Sequence, residues 1–420
     1  MKRVIVMVLA VLLAMTPLFA GGQAEADENK KTELVFLHYM LDKEVGALPE
    51  LIEEFEAKNP GITVAVEGIG VDRYTDVYKT RLVAGQQLDA FFVMTADLKD
   101  FADAGRLAVL DDTVAAQNML PAVLDSGTVD GNVYALSSAG NGLGMFVNTK
   151  ILEECGVDSI PLNWDEFLAA SEKVKNHGYL PWIMGNKSRT WSAYHSFENN
   201  MFAENLPTSD LEKRVMNDEV SISEIWLPQM EKIQTLIDRG YINPEESASI
   251  TWNDEGFTQF VNSEGAFMYG IASHIQLLSD AAPEGFEFVF VASPIQDAPL
   301  PPQAHMLVDR FIGVNDASEH KEEAIKFVEF LFEKENLGRL ALSWGTYTTL
   351  QGGISSDNPI GSEFAQTIAD GNVFLWPQFR NVCLNDWRDN LSKLIIGVTT
   401  PQEMAVEFGE YYKRKLLLNQ

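Results

Sequence analysis

Residues 48–66 read LPELIEEFEAKNPGITVAV, and the change of period inside this stretch decides the fold. Leu48, Leu51, Ile52 and Phe55 recur at the spacing that puts apolar side chains on one face of a helix running to Lys58. Asn59-Pro60-Gly61 stops that helix, and Ile62-Thr63-Val64-Ala65-Val66 then alternates with the two-residue period of a strand. Leu34-Val35-Phe36-Leu37 before it reads as a short buried strand. After it, Tyr74 to Ala84 is helical with Gly85 as its stop, Leu88 to Val93 is a third strand, and Leu98 to Ala104 a third helix closed by Gly105. The alternation β-α-β-α-β-α implies a mainly parallel sheet with helices on both faces.

Upstream lie Lys2 and Arg3, an apolar run from Val4 to Met15, Pro17 and the small-residue stretch Phe19-Ala20-Gly21-Gly22. This is the pattern of a secretory signal peptide, too short in its apolar part for a permanent membrane helix. Cleavage is expected after Ala20, with Ala26 as the other site. Gly21, not cysteine, follows Ala20, so no lipid anchor is expected. A buried first helix would need an amphipathic continuation that the run lacks. About 395 residues remain, more than one hydrophobic core supports, so two lobes are expected. No other stretch approaches membrane-spanning length.

The formal charge of −30 excludes nucleic acid and anionic membrane surfaces as partners on electrostatic grounds. Cys155 and Cys383 are the only cysteines, which leaves no metal-site spacing and no disulfide framework; one bridge or two thiols both remain open. No metal and no cofactor are expected.

In the middle of the chain, Val129-Asp130-Gly131-Asn132-Val133-Tyr134 signals a hairpin and Met145-Phe146-Val147 a strand. A helix from Trp164 to Lys175 follows the cap Asn163, with Glu166 three residues on. Further elements are a helix near Ile225 to Arg239, strands at Ala266 to Tyr269 and Phe286 to Val291, a Pro-rich loop at Pro299 to Pro302, and helices from Lys321 to Phe332 and Pro401 to Leu418.

Four segments, in this order, resemble the extracellular solute-binding proteins of sugar ABC importers, the family that includes maltose-binding protein. They are Phe55-Glu56-Ala57-Lys58-Asn59-Pro60-Gly61-Ile62; Asp100-Phe101-Ala102-Asp103-Ala104-Gly105-Arg106-Leu107; Asn148-Thr149-Lys150-Ile151-Leu152 running on to Asn163-Trp164-Asp165-Glu166-Phe167; and Glu264-Gly265-Ala266-Phe267-Met268. The resemblance spans about Glu33 to Leu418. It implies an α/β, two-lobe periplasmic-binding-protein fold, each lobe a mainly parallel sheet flanked by helices, with the ligand cleft between lobes. After a signal peptide over residues 1–20, or to 26, and a linker over 21–32, lobe 1 is expected to comprise 33–140 with 300–345. Lobe 2 is expected to comprise 141–299 with 346–420. The chain is expected to cross between them near Gly140-Asn141-Gly142, where glycine frees the backbone for a hinge, and again around Pro299 to Met306 and Thr346 to Gly353.

Sugars present C–H faces and hydroxyl edges, so their sites combine aromatic platforms with carboxylate, amide and guanidinium groups. The chain has 8 Trp and 11 Tyr, several in loops where packing does not need them. His38 and Tyr39 follow the first strand, and Thr95 and Asp97 follow the third, at the sheet edge where open α/β folds bind ligands. Asp97 matches a sugar-binding aspartate of the maltose-binding relatives; its other role is to cap the helix beginning at Leu98. Asn141, Trp191, Tyr194, Trp252, His274, Trp344, Tyr347, Trp376, Phe379 and Arg380 complete the candidate ligand-binding set, with packing as the alternative for each aromatic. Relatives carry Gly-x-Trp after the strand at Ala266 to Tyr269; here Gly270-Ile271-Ala272 lacks the Trp, a departure from a maltose-like stacking arrangement.

The function so implied is capture of a sugar outside the cytoplasmic membrane and delivery, by cleft closure, to ABC permease subunits, by a monomer with no enzymatic activity. A polyamine ligand on the same fold is the main alternative, since a carboxylate-rich aromatic box would suit it. An iron site at Tyr411-Tyr412 lacks accompanying ligands. A secreted glycosidase would need a matched carboxylate pair, and no Gly-x-Ser-x-Gly, His-Glu-x-x-His or phosphate loop is present.

Overall fold

The computed structural model describes residues 31–187, 193, 197, 214–353, 358–375 and 384–418. Its strands are β1 (Thr32–His38), β2 (Ile62–Gly68), β3 (Ala90–Val93), the hairpin β4 (Thr128–Val129) and β5 (Asn132–Val133), β6 (Leu136–Asn148), β7 (Leu180–Ile183), β8 (Gly265–Ile271), β9 (Phe288–Val291), β10 (Ala304–Val314) and β11 (Val373–Leu375). Nine of them form one sheet in the order β2-β1-β3-β10-β6-β8-β7, with β11 on β10 and β9 on β6.

The pairings divide this sheet in two. β1 lies parallel to β2 and β3, and β10 joins β3 in the opposite sense through Phe311 to Val314. At the other end β7 lies parallel to β8, while β8 and β9 both pair antiparallel with β6 through its second half, Leu143 to Asn148. Each lobe is therefore a mainly parallel sheet with one strand running against the rest, β10 in the first and β6 in the second. Helices such as Leu48–Lys58, Val71–Ala84 and Lys321–Leu331 cover the first lobe, and Trp164–Asn176, Ile222–Asp238 and Pro401–Leu418 the second. The fold is the two-lobe α/β architecture expected.

Separate aromatic groups fill the two lobes. Phe327 sits 5.4 Å from Phe36 and 5.2 Å from Phe55 between the first sheet and its helices. In the second lobe Phe167 lies 5.5 Å from Trp182 and 4.9 Å from Phe267, and Trp226 meets Phe408 at 5.6 Å. Tyr74 locks a helix to the first sheet by donating to the carbonyls of Leu37 and Phe92 at 3.0 and 2.8 Å.

Three segments join the lobes. β6 pairs with β10 through Leu136 to Leu143 and with β8 from Leu143 onward, so it runs from one lobe to the other. β10 keeps its partner β11 through Met306 and gains β3 only from Phe311, so the second crossing lies later than the Pro299 to Met306 segment, at Asp309-Arg310. The third runs through Tyr347, whose backbone exchanges hydrogen bonds of 3.0 and 2.8 Å with Gly140. The glycines of β6 also have a packing role. Neither Gly140 nor Gly142 has a positive φ; both are extended, and a Cβ on Gly142 would lie 2.6 Å from Phe364 and 2.8 Å from Tyr347. Glycine is needed here for close approach. Tyr347, Phe364, Phe290 and Phe146 form a rib of rings, spaced 5.1, 4.9 and 4.9 Å, that packs on the bare strand.

Other expectations are met or moved. Asn163 caps Trp164–Asn176, accepting from the Glu166 amide at 3.0 Å, and Glu166 returns a bond to the Leu162 amide at 2.9 Å. The third helix starts at Thr95, not Leu98, with Met94 extended at its N-cap, so Asp97 lies in the first turn and does not cap it. Asp130 and Gly131 both take positive φ, 49° and 90°, as the hairpin turn requires. Cys155 is a free buried thiol pushed up from its ordinary pKa by burial; Cys383 lies outside the described residues.

Candidate functional site

The chemistry gathers where β10 crosses between lobes. Tyr39 leaves the end of β1 with its ring edge-on to Tyr74 at 5.5 Å and Phe92 at 5.2 Å, which aims its hydroxyl at the crossing. There Tyr39 Oη donates to Asp309 Oδ1 at 2.6 Å, and the same oxygen accepts from the Arg310 amide at 2.7 Å. Burial, then the adjacent Asp309 carboxylate, holds the Tyr39 phenol far above its ordinary range. Arg310 has φ 53°, a left-handed backbone inside a strand whose register with β6 continues on either side. The two serines opposite fix this kink: Ser137 Oγ donates to the Asp309 carbonyl at 2.9 Å and Ser138 Oγ to the Arg310 carbonyl at 2.8 Å.

The kink delivers the Arg310 guanidinium to the face of Trp344, 4.4 Å from its ring centre. Trp344 is itself fixed, its Nε1 donating to the Val45 carbonyl at 3.1 Å, while the Ala47 amide donates to Ser343 Oγ at 2.9 Å. Arg310 Nε and Nη1 are buried and have no hydrogen-bond partner among the described residues. A carboxylate, a guanidinium and two aromatic rings thus meet at one point, three of the group types that hold sugar hydroxyls and rings.

Across the crossing, the turn after Trp344 lies against the second lobe: a Cβ on Gly345 would stand 3.5 Å from the Cα of Ser273. His274 follows, its ring edge-on to Trp252 at 5.3 Å and Phe257 at 5.1 Å, its Nδ1 buried without a partner and its pKa lowered by burial. Asn141 Oδ1 and the Tyr347 hydroxyl are also buried without partners at the crossing, and burial raises the Tyr347 pKa.

The remaining candidates separate from this group. Asp97 is already engaged, with Tyr78 Oη donating to one oxygen and Lys79 Nζ 2.6 Å from the other. Thr95 is exposed on the first turn of its helix. His38 is buried between Phe36 and Phe92, and burial lowers its pKa. Trp191, Tyr194, Trp376, Phe379 and Arg380 lie outside the described residues. Asp309 and Arg310 were not among the expected residues. The signal for them was there: two adjacent charges interrupt the apolar run of Ala304 to Val314.

A family model described as bacterial extracellular solute-binding protein matches residues 42–337. The chain belongs to that family. Among relatives of this solute-binding protein, a binding protein of Brucella abortus is 25% identical over 314 residues, covering 68% of each chain. A family 1 extracellular solute-binding protein from Bifidobacterium longum subsp. infantis superposes with TM-score 0.77 at 19% identity, covering 92% of this chain and 99% of the other. The sugar-binding protein MalE from Xanthomonas citri superposes with TM-score 0.77 at 15% identity, covering 92% and 98%. The matches are to binding proteins of the class that serves ABC transporters. No helix among the described residues of this solute-binding protein is long and apolar enough to cross a membrane.

Proposed function

We propose that the protein captures a sugar between its lobes outside the cytoplasmic membrane and, by closing on it, presents it to the permease subunits of an ABC importer. In this reading the chain is exported through a signal peptide cleaved after Ala20 or Ala26, acts as a monomer and performs no chemistry on its ligand. With the second crossing at Asp309-Arg310, lobe 1 comprises 33–140 and 310–345, and lobe 2 comprises 141–309 and 346–420. The observation that carries the reading is the cluster of Tyr39, Asp309, Arg310 and Trp344 at the inter-lobe crossing. Family membership and the fold shared with a sugar-binding protein support it. An unpaired guanidinium in that cluster weighs against a polyamine, which would be repelled. Glycosidase chemistry would need two carboxylates in distinct protonation states across a bond; Asp97 and Asp309 are each held by a tyrosine.

Asn141, His274, Trp252 and Tyr347 complete the ligand surface from the second lobe and the crossing strands, and closure is a population shift toward the state with more ligand contacts. The test is a thermal-shift screen of the protein against mono- and oligosaccharides, polyamines and amino acids, followed by small-angle scattering with the best ligand. A rise in melting temperature with a sugar class and a smaller radius of gyration are expected. A shift with polyamines alone, or unchanged compactness at saturation, overturns the ligand or the closing step respectively.

A further inference from the structure

Two other arginines of this protein are each paired with carboxylates. Arg81 meets Glu67 at 2.6 and 3.1 Å, and Arg339 meets Glu54 at 3.0 Å and Glu50 at 3.3 Å. Arg310 differs. Its neighbour Asp309 accepts from Tyr39 Oη and from the Arg310 backbone amide, both on Oδ1, and among the described residues makes no ion pair with the guanidinium. One face of the guanidinium is covered by Trp344, and Nε and Nη1 are shut off from water with nothing to donate to. Arg310 as a residue is part-exposed, and keeping two of its N–H groups from water with no acceptor is unfavourable. The backbone at Arg310 is strained as well, with a positive φ that a branchless residue would hold more easily. Cost of this kind, concentrated on one side chain at the crossing between lobes, is offset when a ligand supplies what is missing. What is missing is an acceptor with negative charge. A neutral hydroxyl supplies an acceptor and leaves the charge unbalanced, whereas a carboxylate supplies both.

We infer that Arg310 is the specificity-determining residue of the cleft and that the sugar it selects carries a carboxylate, as a uronic acid or a short oligosaccharide of uronic acids. This rests on the proposed function above and narrows its ligand class. Trp344 holds the guanidinium in place, Ser137 and Ser138 hold the backbone that delivers it, and Tyr39 Oη and the Arg310 amide share Asp309 Oδ1.

Isothermal titration calorimetry of the full protein tests this with D-glucuronate, D-galacturonate and D-mannuronate and their di- and trisaccharides. Glucose, galactose and mannose, their oligosaccharides and the uronate methyl esters serve as neutral matches. At least one acidic series is expected to bind about 30-fold or more tightly than its neutral match and its ester, a charge-assisted against a neutral hydrogen bond. Arg310→Gln is expected to abolish that preference, weakening the acidic series about 10-fold or more beyond any loss for its neutral match, with Arg310→Lys retaining part of it. If the Gln variant fails to fold, the acid-against-ester comparison on the unaltered protein decides alone. Neutral sugars bound as tightly as acidic ones, or equal weakening of both by Arg310→Gln, overturns the inference and leaves sugar capture standing. No binding of any saccharide overturns both. Binding of sodium acetate as tight as that of a uronate shows a bare anion site and overturns the sugar-acid assignment.

Discussion

Asp97 is held from two sides by its own lobe, by the buried hydroxyl of Tyr78 and by the ammonium of Lys79 at 2.6 Å. Removing its carboxylate leaves the Tyr78 hydroxyl buried without an acceptor, while the half-exposed Lys79 loses a partner it can replace with water. Asp97→Ala is therefore expected to lower stability by about 1–3 kcal/mol, chiefly through Tyr78. Ligand affinity should be unchanged. Urea unfolding beside a binding titration checks this; lost affinity at unchanged stability would return Asp97 to the ligand. The same residue shows how far single positions were legible. Its place after the third strand was readable, but its partners are 18 and 19 residues back on another helix, and their orientation depends on the register of that helix against the sheet. Arg310 was less legible still, because its importance comes from what fails to contact it. Tyr39 and Trp344 were readable as candidate aromatics, with packing as the alternative, and Tyr39 does pack on Tyr74 and Phe92.

Leu48–Lys58 and Pro401–Leu418 were readable to the residue from their amphipathic faces, Val71–Ala84 and Ile222–Asp238 to within three residues, while Lys334–Ser343 and Leu384–Ile395 went unread. Thr149–Glu154 and Pro244–Ser249 were not readable, since six residues hold too little of the helical period to distinguish it. β6 showed only at Met145 to Val147. Its first half, Leu136-Ser137-Ser138-Ala139-Gly140-Asn141-Gly142, has low strand propensity, and its extended form is imposed by pairing with β10 and by the aromatic rib over it. That dependence makes a prediction. Gly142→Ala puts a methyl group within 3 Å of the buried rings of Phe364 and Tyr347 and is expected to cost about 1–3 kcal/mol by overpacking. Gly61→Ala, with nothing near its added carbon, is expected to change stability by less than about 0.5 kcal/mol. Denaturation midpoints of the two variants decide; equal effects would mean that the rib yields and does not confine the strand.

For the whole molecule, size and the order of early elements were enough to predict two α/β lobes, because both follow from core-size limits and connection rules that no single side chain sets. Where the lobes join depended on long-range pairing and was readable only approximately. Stability as a function of pH is a property at this scale. His38, His274 and His305 are each held neutral by burial, which lowers their pKa values, that of His305 to about 3. Above about pH 6.5 folded and unfolded chains both carry neutral imidazole, so these groups add no pH dependence. Below it the unfolded chain takes up a proton that the folded one refuses. Stability is then lost as pH falls, by about 1.4 kcal/mol per pH unit for each such histidine until its native pKa is reached. Protonation of the excess carboxylates acts in the opposite sense by relieving the self-repulsion of a chain with formal charge −30, so the bare slope mixes two effects. Comparing variants separates them. His305→Asn keeps every carboxylate and removes one buried imidazole, so between pH 6 and 5 its urea midpoint should fall less steeply than that of the unaltered protein. The expected difference in slope is about 1.4 kcal/mol per pH unit. Parallel slopes would show that the native state accepts the proton at His305 as readily as the unfolded chain does.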